Sequence, residues 1–564
     1  MSDLKQLDVQ TEKGDTELSE YAPQTATDLE WANRTDIVDL ESKPGLLGYF
    51  LKKNPSPEFI ADVATMNETV LDPKEVARIE RKIDWLIIPA LSVCYMFYYV
   101  LTPSESSRIP MTLLTFPSNR DKTTLSYAAI FNIKKDLHLG KSEYASSWLS
   151  SLFYFGWVAW ALPTNLLMQK FPLNKYLAAN IFVWGALLMA QAASRNFTDL
   201  AILRTISGAA EAVADPAFVL ITSTWYTREQ QPIRIGYWYC SNGIGIGLGG
   251  LLGFAIGHVC PVTSLIPRFL THRTGLPSWK YEFIIIGALC CGWAIFMFIF
   301  IPDSPYQTHW FSRAERLIIV SRKRDDQNGP DNRHWNSSQA IEAFMDIKTY
   351  LFFLFGFTAN GGTSNFGTLI VQGFGFNTLN TTLMQLPYGA IIVLFIVGAL
   401  IVNSKVPKGN RTYLMVATTI PTVVGFAMVA WAKPKAARLI GFWITGASNA
   451  TFVVGLSLVS GNVGGQTKKA IASAAVFLGV AAGNIVGPFL FKDSEAPKYL
   501  TGVVGCMVSR ILEIFVILAL RLVFSRANAK RDRDVAEGRV QYDERVTALQ
   551  DISDWQNPAF RYVL

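Results

Sequence analysis

The sequence predicts an all-α integral membrane protein with twelve transmembrane helices in two six-helix bundles. Three observations carry this expectation. Half of the 564 residues are hydrophobic and only 17% are charged, against about 25% charged in soluble domains, so the chain has more apolar surface than a globular core would hide. The charges gather at the two ends and in one central stretch, leaving long intervals nearly uncharged. Those intervals divide into runs of about 20 apolar residues, the helical length that crosses a hydrocarbon core roughly 30 Å thick.

Taken in order, residues 1–71 are polar and punctuated by proline, the composition of a disordered cytosolic tail. They contain no apolar stretch of the signal-peptide kind, so the first span is expected to act as the targeting signal. Asp72 as N-cap, Pro73 at the first helical position and Glu75 two residues later predict a helix start, with Arg78, Arg81 and Lys82 marking its cytosolic edge. Apolar runs follow at 83–100, 144–168, 175–194, 198–222, 235–257 and 281–301, making a first bundle over 72–302. A charged linker, 303–345, is the longest connection. Runs at 347–372, 381–403, 411–431, 437–460, 470–491 and 499–523 make a second bundle over 346–523, and 524–564 is read as a cytosolic C-terminal tail. Basic residues are denser on the linker side of the spans, which places both termini in the cytosol by the positive-inside rule. Two equal halves joined by a cytosolic linker predict a parallel-repeat transporter, with its substrate site near the midplane between the halves.

Other classes fall away on composition. The aromatic residues lie inside apolar runs and not on a basic face, which argues against nucleic-acid binding. The six cysteines form no CxxC pair and meet no histidine at metal spacing, so neither a disulfide framework nor a zinc site is expected. There is no nucleophile with a base and no metal cluster of the kind an integral-membrane enzyme needs, and no cofactor is expected.

Charged side chains inside the spans point to the site, because an ionisable group in hydrocarbon is costly unless it faces a polar cavity or a partner. The fourth span, RTISGAAEAVADPAF, holds Arg204 and Glu211 seven residues apart, on one helix face and separated by about 10 Å of rise. Asp215 follows one turn later. The structural alternatives are that Arg204 snorkels to an end and that Asp215, before Pro216, belongs to a kink; they fit mid-helix Glu211 less well. Asp121 and Lys122 are intramembrane charges if DKTTLSYAAIF is the outer half of the first span, and an ordinary solvated pair if it is a surface loop. Arg510 and Glu513, at i and i+3 in the last span, are expected to pair within the helix. Asn484, in GVAAGNIVGPF, reads equally as a site residue or as a polar contact between helices.

Several long motifs then carry a resemblance: FYYV with DKTTLSYAAIFNI, SLFYFGWVAWALPTNLLMQKFP, RTISGAAEAVADPAF with TSTWYTREQQPIRIGYWY, GNVGGQTKKAIASAAVFLGVAAGNIVGPFLF and the tail TALQDISDWQNPAFRYVL. Over roughly 75–564 the chain resembles fungal allantoate-permease-like transporters, the anion:cation symporter branch of the major facilitator superfamily. The resemblance implies a plasma-membrane symporter, monomeric, that takes up small organic anions such as allantoate, ureidosuccinate, pantothenate or nicotinate with protons, driven by the proton gradient alone. It implies that Asp121 and Glu211 carry protons and that Lys122, Arg204 and Asn484 contact the substrate carboxylate. In the implied cycle, protonation of Glu211 and Asp121 removes negative charge from the cavity so that the anion can approach Lys122 and Arg204. The loop NLLMQKFPLNKY matches the superfamily's gating signature only loosely.

The chain departs from the family at 101–120, which interrupts the first span, at 260–272, which lengthens the loop between spans five and six, and around Ala359, Asn360 and Gly361, where a few residues are lacking. The two inserts read as translated introns, and an inactive product of a mis-spliced gene model is accordingly an alternative. A second alternative is a nutrient sensor that binds substrate on the same fold without net flux.

Overall fold

The computed structural model describes residues 73–106, 145–227, 229–259, 278–305, 308–324, 336–359, 383–405, 409–491, 495, 499–539 and 552–564. The N-terminal tail, Asp121, Lys122 and most of both inserts lie outside the described residues. The described chain is helical, with no strand among those residues. Eight helical stretches among the described residues, with Phe197–Trp225 and Lys435–Gly461 each counted as one, are long and apolar enough to cross a membrane.

The first span is α1, Pro73–Ser106, with Glu75 in its first turn as the N-terminal signature requires. It continues past Val100 to Ser106, six residues into the first insert, where the apolar run alone predicted an end. Spans two and three are α2, Ala145–Lys170, and α3, Leu173–Gln191. Span four is broken into α4, Phe197–Glu211, and α5, Ala214–Trp225. Asn196 caps α4 by accepting the Asp199 backbone N–H at 2.8 Å. The break follows from Pro216, which has no N–H to offer the Ala212 carbonyl one turn earlier. Spans five and six are α6, Gln231–Val259, and α7, Ser278–Phe300.

The linker carries two helices that the charge pattern did not announce, α8, Arg313–Arg324, and α9, Ser337–Met345. The second half begins with α10, Ile347–Ala359, whose expected continuation to 372 lies outside the described residues. Then come α11, Gln385–Lys405, and α12, Arg411–Trp431. Span ten breaks as span four does: α13, Lys435–Ile444, tightens into a 3₁₀ turn at Thr445–Ala447 before α14, Ser448–Gly461. Spans eleven and twelve are α15, Gln466–Val486, and α16, Leu500–Ala536, which runs well beyond the expected end at 523.

The helices pair twice over in the same pattern. α1 packs on α6 as α10 packs on α15, and α3 packs on α7 as α12 packs on α16. The halves meet through α2 against α15 and through α6 against α11 and α14. Glycines set the closest approach: a Cβ on Gly389 of α11 would lie 2.2 Å from the Gly243 carbonyl oxygen of α6, so only glycine lets these backbones touch. Burial sorts the helices as lipid and protein contact require. Ile285, Leu289, Ile295 and Ile299 of α7 are exposed, as apolar side chains facing acyl chains would be, whereas every residue of α14 from Ala450 to Gly461 is buried.

At the end of the bundle that carries the linker, charges replace apolar contacts. Lys82 of α1 meets Glu315 of α8 at 3.1 Å, Arg234 of α6 bonds Asp84 of α1 through two nitrogens at 3.2 Å, and Arg322 of α8 bonds Glu80. The linker is thereby tied to the first half along its first stretch.

Candidate substrate and proton site

The site is built on the broken fourth span. Leu200, Arg204, Ser207, Gly208 and Glu211 fall at helical spacing along one stripe of α4. That stripe faces inward: Arg204 is 1% exposed, and Ser207 and Gly208 are buried. The Ser207 hydroxyl accepts the Gln191 side-chain N–H of α3 at 2.9 Å. Against α2 the contact is backbone on backbone, since a Cβ on Gly208 would lie 1.9 Å from the Phe153 carbonyl oxygen and one on Gly156 would lie 1.9 Å from that of Thr205. This reciprocal glycine contact fixes the height at which α4 holds Arg204 and Glu211.

Glu211 is half-buried and is the last residue of α4, immediately before the break. It lies within electrostatic reach of Cys290 on α7. Asp215 sits in the first turn of α5, half-buried, where the exposed N–H groups of a helix start favour a negative charge. Arg204 is therefore enclosed within the first half, and Glu211, half-buried, lies on the same face of α4 at its end.

Asn484 is 4% exposed and belongs to the second half, on α15, which packs against both α2 and α5. Its side-chain N–H donates to the Val480 carbonyl at 3.0 Å. The carbonyl of Val480 can only accept, which settles the orientation of the amide and leaves Asn484 Oδ1 turned away from it. Oδ1 has no hydrogen-bond partner among the described residues. One Asn484 N–H is thus taken by Val480, which leaves the second N–H as well as Oδ1 for other contacts. Asp121 and Lys122 lie outside the described residues. Arg510 and Glu513 do pair within α16, at 2.9 Å with both side chains buried.

Several residues that a search for charges overlooks gather between the halves. Gln231, at the start of α6, accepts the Ser460 hydroxyl of α14 at 2.8 Å, and both are 1% exposed. Asn242 of α6 reaches Asn449 of α14 at 3.4 Å. The Tyr239 and Phe452 rings meet across the same seam at 5.9 Å, with Tyr95 on one side and Phe355 on the other. Gln231 and Ser460 join the halves at the linker-side ends of α6 and α14, and the other pairs join them nearer the middle of the same spans. Asn242 and Asn449 were visible in the sequence as uncharged polar residues inside apolar spans. Among the described residues no group of His, Cys, Asp and Glu could hold a metal ion.

Comparison with known proteins agrees with this architecture. Residues 111–488 match the Major Facilitator Superfamily. An uncharacterised transporter of Schizosaccharomyces pombe is 34% identical over 91% of this chain and 93% of its own length. The allantoate permease of Saccharomyces cerevisiae is 29% identical over 88% of each chain. Among solved structures, the Escherichia coli fucose:proton symporter superposes with a TM-score of 0.51 at 14% identity, covering 76% of this chain and 99% of its own. The two-bundle helical architecture, its repeated helix pairing and these matches together place the chain in the major facilitator superfamily of membrane transporters.

Proposed function

We propose that this transporter is a proton-coupled symporter of a small organic anion that also carries N–H donors. The observation that carries the reading is the stripe of α4, which buries a guanidinium and sets a carboxyl about 10 Å from it along a helix that ends there. The carbonyl end of a half-helix is a costly place for a carboxylate and a tolerable one for a neutral carboxylic acid. Glu211 is thus suited to take up and release a proton, and buried carboxyls in general favour the neutral form. Arg204 is the cation for the substrate carboxylate. Asn484, whose Oδ1 meets no partner among the described residues, fits an amide or ureido N–H, a group that allantoate-like solutes possess beside their carboxylate; the allantoate permease among the relatives supports that class. Asp121 as second proton carrier and Lys122 as second carboxylate contact rest on the resemblance alone.

In this reading the bundles 72–302 and 346–523 rock about the substrate site, tethered by a cytosolic linker at 303–345, with the 1–71 and 524–564 tails in the cytosol. The protein works as a monomer in the plasma membrane, and the proton gradient is its only energy source, with no cofactor. Uptake competition in a transporter-deficient cell tests the substrate class. Solutes with both a carboxylate and an N–H donor should compete best, and uptake should be faster at acid than at neutral external pH. Equal competition by neutral or cationic solutes, or uptake indifferent to pH, would overturn the proposal.

A further inference from the structure

Residues 552–564 fold back onto the linker-side end of the second half and bury a carboxylate there. Ser553 and Asp554 are 0% exposed. Asp554 Oδ1 lies 2.8 Å from Lys468 Nζ at the start of α15, and Oδ2 is bonded by Lys348 at the start of α10 and by the Tyr562 hydroxyl at 2.5 Å. The same lysines reach Asp346 at 3.2 and 2.9 Å. Lys468 also meets Glu342 of α9 at 2.6 Å, whose other oxygen accepts the Ser553 hydroxyl at 2.6 Å. Arg531, on the extension of α16, donates to the Asp554 and Phe560 carbonyls and lies over the Tyr562 ring.

The chain end is held as firmly. Val563 and Asn462 exchange hydrogen bonds at 2.6 and 2.8 Å, Tyr562 and Asn528 exchange two more at 2.9 and 2.8 Å, and the Leu564 carbonyl accepts the Arg411 backbone N–H at 2.8 Å. Gly464 leaves no room for a side chain, because its Cβ would stand 2.7 Å from the Asp554 nitrogen. The segment therefore grips α10, α12, α15, α16 and the turn between α14 and α15. That turn begins after Gly461, the residue that follows Ser460, which donates to Gln231 across the two halves.

A tail needed only as a tether would bury apolar groups, since buried ion pairs give little net stability over apolar packing. What a buried ionic network supplies is rigidity and one specified arrangement. We infer that the C-terminal segment is a strap that positions the linker-side gate: Asp554, held between Lys348 and Lys468, fixes the α14–α15 turn so that Ser460 meets Gln231 when that side is closed. This goes beyond the proposed substrate and coupling, because the gate is the same whatever solute is carried.

The test uses the full chain with a single cysteine, either Gly461→Cys, where an added side chain meets nothing within 4 Å, or native Cys506, buried in α16 away from the turn. Inside-out vesicles are labelled with a membrane-impermeant maleimide. Asp554→Asn and Tyr562→Phe should each raise the labelling rate at 461 by about five-fold or more, as loss of a charged hydrogen bond implies, and leave Cys506 unchanged. Asp554→Glu should return the 461 rate toward that of the unsubstituted tail. Rates at 461 within about two-fold of the unsubstituted tail would overturn the inference. Equal rises at 461 and 506 would also overturn it, showing a staple for the whole bundle. Should Asp554→Asn not reach the membrane, Tyr562→Phe, which removes only a hydroxyl, is read by the same criteria.

Discussion

Gly208→Ala places a methyl group where α2 already stands. Its Cβ would lie 1.9 Å from the Phe153 carbonyl oxygen, and ordinary contact begins at 3.4 Å, so α4 and α2 must part by about 1.5 Å. The obstacle is backbone, so no rotamer change relieves it, and the reciprocal contact at Gly156 blocks a slide along the axis. Overpacking of this kind costs about 1–3 kcal/mol, and the upper end applies where neither side can yield. The functional loss should be larger than the loss of stability, because Arg204 and Glu211 ride on the displaced helix, and a misplacement of about 1 Å can lower a rate by about 100-fold. Thermal denaturation of the detergent-solubilised protein, read by size-exclusion fluorescence, together with initial uptake rates normalised to membrane protein, measures both. Gly292→Ala is the control, since a Cβ there meets nothing within 4 Å. A Gly208→Ala protein with unchanged melting and uptake would refute the claim that glycine contact sets the height of the site.

Further outcomes follow from the same geometry. Burial alone would raise the Asp554 carboxyl, but the ammonium groups of Lys348 and Lys468 outweigh it and hold the group below its ordinary value. Its stabilising contribution is therefore complete above the unfolded carboxylate value near pH 4 and is lost as pH falls through the lower folded value. The melting difference between the wild-type chain and Asp554→Asn should be flat from neutral pH down to about 4 and shrink below it; a difference constant through the acid range would contradict the bridge. If Asn484 Oδ1 accepts a substrate N–H, Asn484→Leu should raise KM about five- to ten-fold for solutes with N–H donors and little for plain carboxylates; equal rises for both would remove the residue from the proposed site. If 101–120 and 260–272 are translated introns, the mature transcript lacks both, and a message that still encodes 101–120 refutes that reading.

The fold was legible because lipid imposes a simple code. Uncharged runs of bilayer length gave span order and number, and the Asp72–Pro73–Glu75 signature marked where α1 starts. Span breaks were less legible. Pro216 announced the one after Glu211, but the equivalent turn at Thr445–Ala447 has no proline and arises where α13 packs tightly through Gly441 on Gly425. Of the candidate site, Arg204 and Glu211 stand out in the sequence because ionisable residues in lipid need a reason. The direction of Asn484's amide does not, since it depends on which atom faces the Val480 carbonyl. The C-terminal network was hidden because Asp554, Lys348 and Lys468 are far apart in sequence and look individually like solvated charges. Only the docked tail brings them within bonding distance.

The central claim is that Glu211 carries the proton that drives uptake, and Glu211→Gln in vesicles assayed both empty and loaded with unlabelled solute tests it most directly. With an imposed inward proton gradient and no internal solute, the variant should fail to accumulate labelled anion above equilibrium, while counterflow against internal solute persists. Accumulation as steep as that of the wild-type chain would show that the proton travels by another group.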